Sequence, residues 1–275
     1  MDTLATLFNI SIVVFVVTTM LSMGLAFRVA DIAKPLKNLP LVMRSLLSNF
    51  VFVPVLTLAL VSFLPLDEGV KIGLIILSLS AGAPFLPKLA EIAKSNTALA
   101  TAHMLLLMVA TVVVLPFALP FMLDGDVSVD SLSIAKSLVV MMIIPLGIAM
   151  YVKVKAGDFA KKWQIRMVKL SNLTLLLIVV LLVVLNGQAI FNTTAAALVS
   201  VVLFILFALL IGYFSGGKEY ENKVVISLAT AQRNISAALV VGAQNFKDPE
   251  VSIIIIAVSV IGLVLLLLSA KKYKI

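Results

Sequence analysis

Nine stretches of this chain are apolar over the length that a membrane-spanning helix needs, and this narrows the fold more than any other feature. They are residues 3–27, 41–64, 70–94, 97–123, 132–152, 169–191, 195–215, 222–245 and 250–270. A helix rises ~1.5 Å per residue, so ~20 apolar residues cross the hydrocarbon of a bilayer. The connections are short, so neighbouring helices run antiparallel and no separate soluble domain fits. At 62% hydrophobic and 12% charged residues, with a mean hydropathy of +1.21, a soluble domain of 275 residues would lack the polar surface to cover itself. The predicted fold class is an all-α polytopic membrane protein of about nine transmembrane helices. The first stretch has no basic residues before it, exceeds a signal h-region in length and lacks a small-x-small cleavage site. It reads as a spanning helix rather than a signal peptide.

The net charge is +8 and the calculated pI is 9.7. In a membrane chain these charges report topology, and nucleic acid is not an expected partner. Arg28, Lys34 and Lys37 follow the first stretch, and Lys88 and Lys94 lie late in the third. Lys153, Lys155, Lys161, Lys162, Arg166 and Lys169 lie between the fifth and sixth. Lys218 and Lys223 precede the eighth, and Lys271, Lys272 and Lys274 end the chain. All fall on one side if nine stretches cross. The opposite connections carry Asp67, Glu68, Asp124, Asp126, Asp130, Asp248 and Glu250. The positive-inside rule therefore predicts a cell (inner) membrane protein with its N-terminus outside and its C-terminus in the cytoplasm. The chain has no Cys, which excludes disulfides, thiolate metal sites and a Cys nucleophile.

Two stretches are poor helices. The third contains Ser80-Ala81-Gly82-Ala83-Pro84-Phe85-Leu86-Pro87, where Gly82, Pro84 and Pro87 break the helical hydrogen-bond ladder at mid-membrane. The eighth is interrupted by polarity: Thr230-Ala231-Gln232-Arg233-Asn234-Ile235-Ser236. An Arg near the bilayer centre costs ~2.5–3.5 kcal/mol on insertion scales, so a buried partner or an aqueous cavity must offset it. Arg233 has about ten helical residues on either side, roughly 15 Å, which makes snorkelling awkward. Freed backbone at that depth is tolerated only inside protein or beside water. One interrupted stretch in each half of the chain points to an inverted-repeat transporter with a midplane site. The other readings are kinked helices in a channel or receptor, and an Arg paired with a neighbouring helix.

At these stretches the chain resembles the bile acid:sodium symporter family. Met20-Leu21-Ser22-Met23-Gly24-Leu25 before a basic connection resembles the family's Met-Gly-Leu stretch. Asn49-Phe50-Val51-Phe52-Val53-Pro54 resembles its Gln-Phe-x-x-x-Pro. Ile92-Ala93-Lys94-Ser95-Asn96-Thr97-Ala98-Leu99 resembles its Leu-Ala-Lys/Arg-Gly-Asn-x-Ala-Leu, and Ala229 to Ala238 resembles its Glu-x-Gly-x-Gln-Asn segment. The resemblance implies two inverted five-helix repeats whose broken helices cross at the centre. On the same resemblance the first repeat is expected to lack its first helix, giving repeats 1–123 and 132–275. The resemblance further implies a core of stretches 2–4 and 7–9, a panel of stretches 1, 5 and 6, and a substrate crevice between them.

The departures from the family pattern share a direction. A sodium-liganding Glu aligns with Ala229 and a liganding Gln with Arg233, while the following Asn is kept as Asn234. The family's Pro-Gly-Gly-Thr-Ala-Ser-Asn is replaced by Ala81 to Pro87, and two hydroxyl ligands on the next helix align with Ala100 and Met104. Asn49 keeps an amide where the family has a liganding Gln. Hard cations need oxygen ligands, and on this alignment neither sodium site is intact. Arg233 is expected to stand in for sodium, with Asn49 and the carbonyls of the two broken helices as its partners, and with Gly82, Pro84 and Pro87 shaping the crossing.

The function implied is a secondary carrier of a small organic anion, working by alternating access. Asn234, Arg233, Gln232, Thr230, Ser236 and Lys88 are the expected substrate contacts. Lys88 has a second reading as the ion-pair partner of Glu91. His103, the only His, is read first as a helix–helix hydrogen bond and second, with Glu91, as a proton-coupling residue. Pro54, Pro116, Pro120 and Pro145 read as kinks. Asn-x-Ser/Thr at Asn9, Asn172, Asn192 and Asn234 is discounted as a glycosylation signal because most of these lie in helices. Partners are the lipid bilayer and the anion; no cofactor or metal-ligand set is expected. The rival readings are a sodium symporter with relocated ion sites and a non-transporting sensor or scaffold on the same fold. No His-Glu-x-x-His and no paired intramembrane Asp supports an enzyme.

Overall fold

The computed structural model describes residues 2–27, 35–123 and 130–273. Arg28, Lys34, Asp124, Asp126 and Lys274 lie outside the described residues. The chain is a polytopic all-α membrane protein. Among the described residues, eight helices are long and apolar enough to cross a membrane: α1 (Thr3–Ala26), α2 (Leu39–Phe63), α4 (Thr97–Met122), α5 (Ser131–Lys155), α6 (Gly157–Phe191), α7 (Ala195–Ser215), α8 (Tyr220–Asn245) and α9 (Pro249–Lys272). The remaining predicted stretch, 70–94, is present as two short helices, α3a (Glu68–Leu79) and α3b (Leu86–Ile92). Helix α8 is likewise divided, into α8a (Tyr220–Ala231) and α8b (Ile235–Asn245). Both expected interruptions are therefore present.

The boundaries follow local chemistry. Asn96, Asp130, Thr194, Asn234 and Asp248 each accept a backbone N–H in the first turn of the helix they precede. Lys94 turns the chain after α3b with a φ of 52°, while its N–H and that of Ser95 bond to Glu91 and Ala90 carbonyls, a Schellman-type end. Pro54 and Pro145 each follow a five-residue π turn, Ser48–Phe52 and Val139–Ile143. A proline has no N–H and crowds the carbonyl four residues back, and the wider turn absorbs both effects. At Pro116 and Pro120 helix α4 continues.

One expectation is corrected. The basic residues between 153 and 169 do not form a connection: Lys153 and Lys155 end α5, and α6 starts at Gly157, so Lys161, Lys162, Arg166 and Lys169 are helical. The reason is amphipathicity. Ala160, Trp163 and Met167 recur at helical spacing and pack with Leu21, Leu25 and Ala149. Up to a kink at Asn186, where φ −130° and ψ 27° leave the helical region, α6 runs over residues 157–185, ~43 Å, still beyond a ~30 Å hydrocarbon layer. Lys223 too is helical, in the first turn of α8a.

Helix α1 packs along α5 and α6, with Gly24 pressed against the α5 backbone at Leu146 and Met150 and against the Ala149 methyl. The halves of α3 and α8 pack against α4, α7 and α9. Residues such as Val140, Ile148, Leu173, Val184, Phe214 and Val264 are exposed, as an apolar outer surface in lipid requires. Polar groups are turned inward, where α3 and α8 cross.

Candidate functional site

The crossing is built from backbone groups that the two breaks release. Asn234 sits between α8a and α8b. Its N–H donates to Ser80 O at 2.8 Å, its Nδ2 donates to Gly82 O at 3.2 Å, and its Oδ1 accepts Ala237 N–H at 3.1 Å. Gly82 has a φ of +80°, and a Cβ there would come within 2.6 Å of Met104 O on α4. That position therefore admits only glycine. From α4, Thr111 accepts Ala81 N–H at 2.8 Å and lies 3.0 Å from Ala81 O as donor. Few polar groups of residues 78–82 are left without a partner, as burial away from water demands.

Arg233 is 4% exposed. Its Nη1 donates to Ser78 O at 3.2 Å, and its Nη2 donates to Thr230 O. These carbonyls belong to the last turns of α3a and α8a, where helices present unpaired carbonyls and the negative end of their dipole. A single guanidinium thus ties two helix C-termini together. The Phe204 ring of α7 lies 5.7 Å from its centre, a cation–π contact. The only ion pairs among the described residues are Lys71–Glu68 and Lys88–Glu91, so no carboxylate pairs with Arg233.

Beside the crossing is a cavity of about 540 Å³. One wall is α1 and the 164–175 stretch of α6; the other is the two breaks and α9. Gln232, Arg233, Ser236 and Pro84 line it, and among the lining residues Arg233 is the only ionisable one. The remaining expected site residues lie elsewhere. Asn234 and Thr230 are spent on the crossing rather than facing the cavity. Asn49 does not meet Arg233 through a hydrogen bond: its Nδ2 bonds Ser45 O at 2.9 Å and Thr230 Oγ1 at 3.3 Å, because its helix faces α8a one turn before the break. Lys88 is exposed and pairs with Glu91 at 2.9 Å, away from the cavity wall. Pro87 opens α3b. His103 is fully buried and makes no helix–helix bond: its Nδ1 lies 3.1 Å from Leu99 O on its own helix, and Nε2 has no partner.

The residue reading missed Thr111, Phe204, and the polar groups of the far wall, Thr19, Ser22, Ser171 and Asn172. The signal for Thr111 was the break itself, since freed backbone calls for a hydroxyl on an adjacent helix.

A model of the sodium bile acid symporter family matches residues 13–193, well over half of the chain. The chain belongs to the sodium bile acid symporter family. It is a multi-pass membrane transporter, with a bilayer around it and a small solute as its cargo. The match to the sodium bile acid symporter family runs from α1 to the end of α6, and Arg233 lies beyond it. No curated protein matches the chain.

Proposed function

We propose that the chain is a secondary carrier of a small organic anion that is not coupled to sodium through the family's sites. In this reading α2–α4 and α7–α9 form a core that moves against a panel of α1, α5 and α6, exposing the cavity to each side in turn. Repeats 1–123 and 132–275 are the two inverted halves. Gln232, Arg233 and Ser236 contact the anion, and Asn234, Asn49, Gly82, Pro84 and Pro87 shape the crossing around them. The membrane is the cell (inner) membrane, with the C-terminus inside.

One observation carries this reading: the cavity's only ionisable wall residue is the buried Arg233, whose guanidinium joins Ser78 O to Thr230 O. A fixed cation favours an anionic cargo and disfavours a mobile cation beside it. At 4 Å, two like unit charges repel by ~4 kcal/mol at an effective dielectric of 20. Leu86, Pro87, Ala229, Ala100 and Met104 offer no side-chain oxygen to a sodium ion.

The test is thermal unfolding of the purified protein with small carboxylates, sulfonates and their neutral amides, in sodium chloride and in choline chloride at equal ionic strength. Anions should stabilise equally in both salts, and Gln232→Ala or Ser236→Ala should weaken them. A saturable gain specific to sodium, or neutral amides binding as well as the acids, would refute the reading. Counterflow of a stabilising anion in liposomes separates a carrier from a sensor or scaffold.

A second reading, sodium held elsewhere, has one feature in its favour. Ser45 Oγ and Asn49 Oδ1, one turn apart on α2, are buried without donors. Two such oxygens beside Thr230 suit a cation or a water. The same comparison of salts decides, since sodium there would stabilise the protein without any anion, and Asn49→Leu would abolish the gain.

A further inference from the structure

The panel wall of the cavity carries a hydroxyl cluster that neither the crossing nor Arg233 uses. Thr19 and Ser22 of α1 and Ser171 of α6 all line the cavity, and all three are nearly buried, at 7%, 9% and 6% exposure. A hydroxyl has one proton and two lone pairs, so its proton can be traced. Thr19 donates to Phe15 O at 2.7 Å. Ser22 donates to Thr19 O at 2.7 Å. Thr19 Oγ1 and Ser171 Oγ are 2.6 Å apart, and since the Thr19 proton is engaged, Ser171 is the donor of that pair. All three protons are consumed within the panel. What these groups offer the cavity is lone pairs.

We propose that Thr19, Ser22 and Ser171 are specificity-determining residues, and that the group they take is a hydroxyl at the end of the substrate remote from its acid. This rests on the anion-carrier reading. An ether, carbonyl or second carboxylate against this wall would set lone pair against lone pair. An ammonium would donate, but the lining residues include no carboxylate to balance it and do include Arg233. A hydroxyl donates to the cluster and accepts from the amide of Asn172, which also lines the cavity. The apolar residues between the walls, among them Phe15, Met23 and Leu263, then cover the substrate's carbon skeleton. The substrate class is a hydroxylated organic anion with its acid on the core and its hydroxyl on the panel.

The experiment measures binding to the purified full chain, by thermal unfolding, of straight-chain carboxylates of graded length ending in a hydroxyl, a methyl or a methoxy group. At the length that binds best, the hydroxyl-ended acid should bind about tenfold more tightly than the other two, one hydrogen bond's worth with a desolvation cost avoided. Thr19→Val with Ser171→Ala should erase that preference, so that the hydroxyl-, methyl- and methoxy-ended acids bind the double variant equally well. The wild-type preference is read first and needs no variant. Methyl- or methoxy-ended acids binding as well in the wild type, or a preference that survives in the double variant, would overturn the proposal. Binding by none of the acids would instead overturn the anion reading on which it rests.

Discussion

Replacing Arg233 with Gln tests the crossing most directly, because three terms oppose one another there. The substitution removes charge-assisted hydrogen bonds to Ser78 O and Thr230 O. Hydrogen bonds to a charged group contribute ~1.5–3 kcal/mol each, a gross loss of ~3–6 kcal/mol. It also removes a buried charge, and relief of its desolvation returns several kcal/mol. Finally it leaves two helix C-termini facing each other without a cation, with carbonyls unsatisfied at a cost of ~1–3 kcal/mol each. A Gln amide reaches one of those carbonyls and the adjoining cavity admits water to the other. The expected net loss is ~2–4 kcal/mol. The assay is unfolding in detergent followed through Trp163, the only Trp, in sodium and in choline chloride. Arg233→Gln should lower stability equally in both salts. Adding Ala229→Glu, which restores a carboxylate next to the break, should make the loss recoverable by sodium alone. An Arg233→Gln protein as stable as wild type, or one rescued by sodium without the added Glu, would refute the view that the guanidinium does the ion's structural work.

Gly82→Ala forces a left-handed alanine against the α4 backbone; it should cost upwards of ~3 kcal/mol and reduce the monodisperse yield on gel filtration sharply. Thr111→Val leaves Ala81 N–H without its acceptor and should destabilise by ~1–3 kcal/mol in the same unfolding assay, whereas Thr111→Ser should be close to wild type. Lys161 lies one turn from Gln164 on the face of α6 that lines the cavity. With Val168→Cys as reporter in this Cys-free chain, Lys161→Gln should lower the ratio of anionic to cationic methanethiosulfonate modification about fourfold, and Lys162→Gln much less. A single Cys at Lys272 should be labelled only from the cytoplasmic side; labelling from outside would reverse the topology.

The spanning stretches and both breaks were legible because they rest on backbone chemistry. Gly82, Pro84 and Pro87 cannot continue a ladder, and Gln232 to Asn234 cannot sit in lipid. Arg233's carbonyl partners were legible for the same reason, since helix ends always leave carbonyls unpaired. Its supposed partner Asn49 was not, because one helical turn decides whether an amide meets a guanidinium or the Thr230 hydroxyl. The start of α6 was misread because composition outweighed period. Residues 157–169 are rich in Lys, yet Ala160, Trp163, Met167 and Ser171 repeat at three- and four-residue spacing. The panel hydroxyls carried no readable signal at all. Ser11 and Thr18 bond to their own helix's carbonyls just as Thr19 does, and only packing puts Thr19 on the cavity and the others elsewhere.

A guanidinium anchored at the crossing has an electrical consequence. A dissociable ion enters and leaves with each cycle and brings its own gradient; Arg233 can do neither. If the core carries it through part of the membrane field, the empty and the anion-loaded core differ by one charge in transit. A full elementary charge crossing 100 mV is worth ~2.3 kcal/mol, so even a fraction of that distance makes the return of the empty core voltage-sensitive while the loaded step stays nearly neutral. Membrane potential would then set which face the unloaded cavity waits on, and the solute's own gradient would set the direction of net flow.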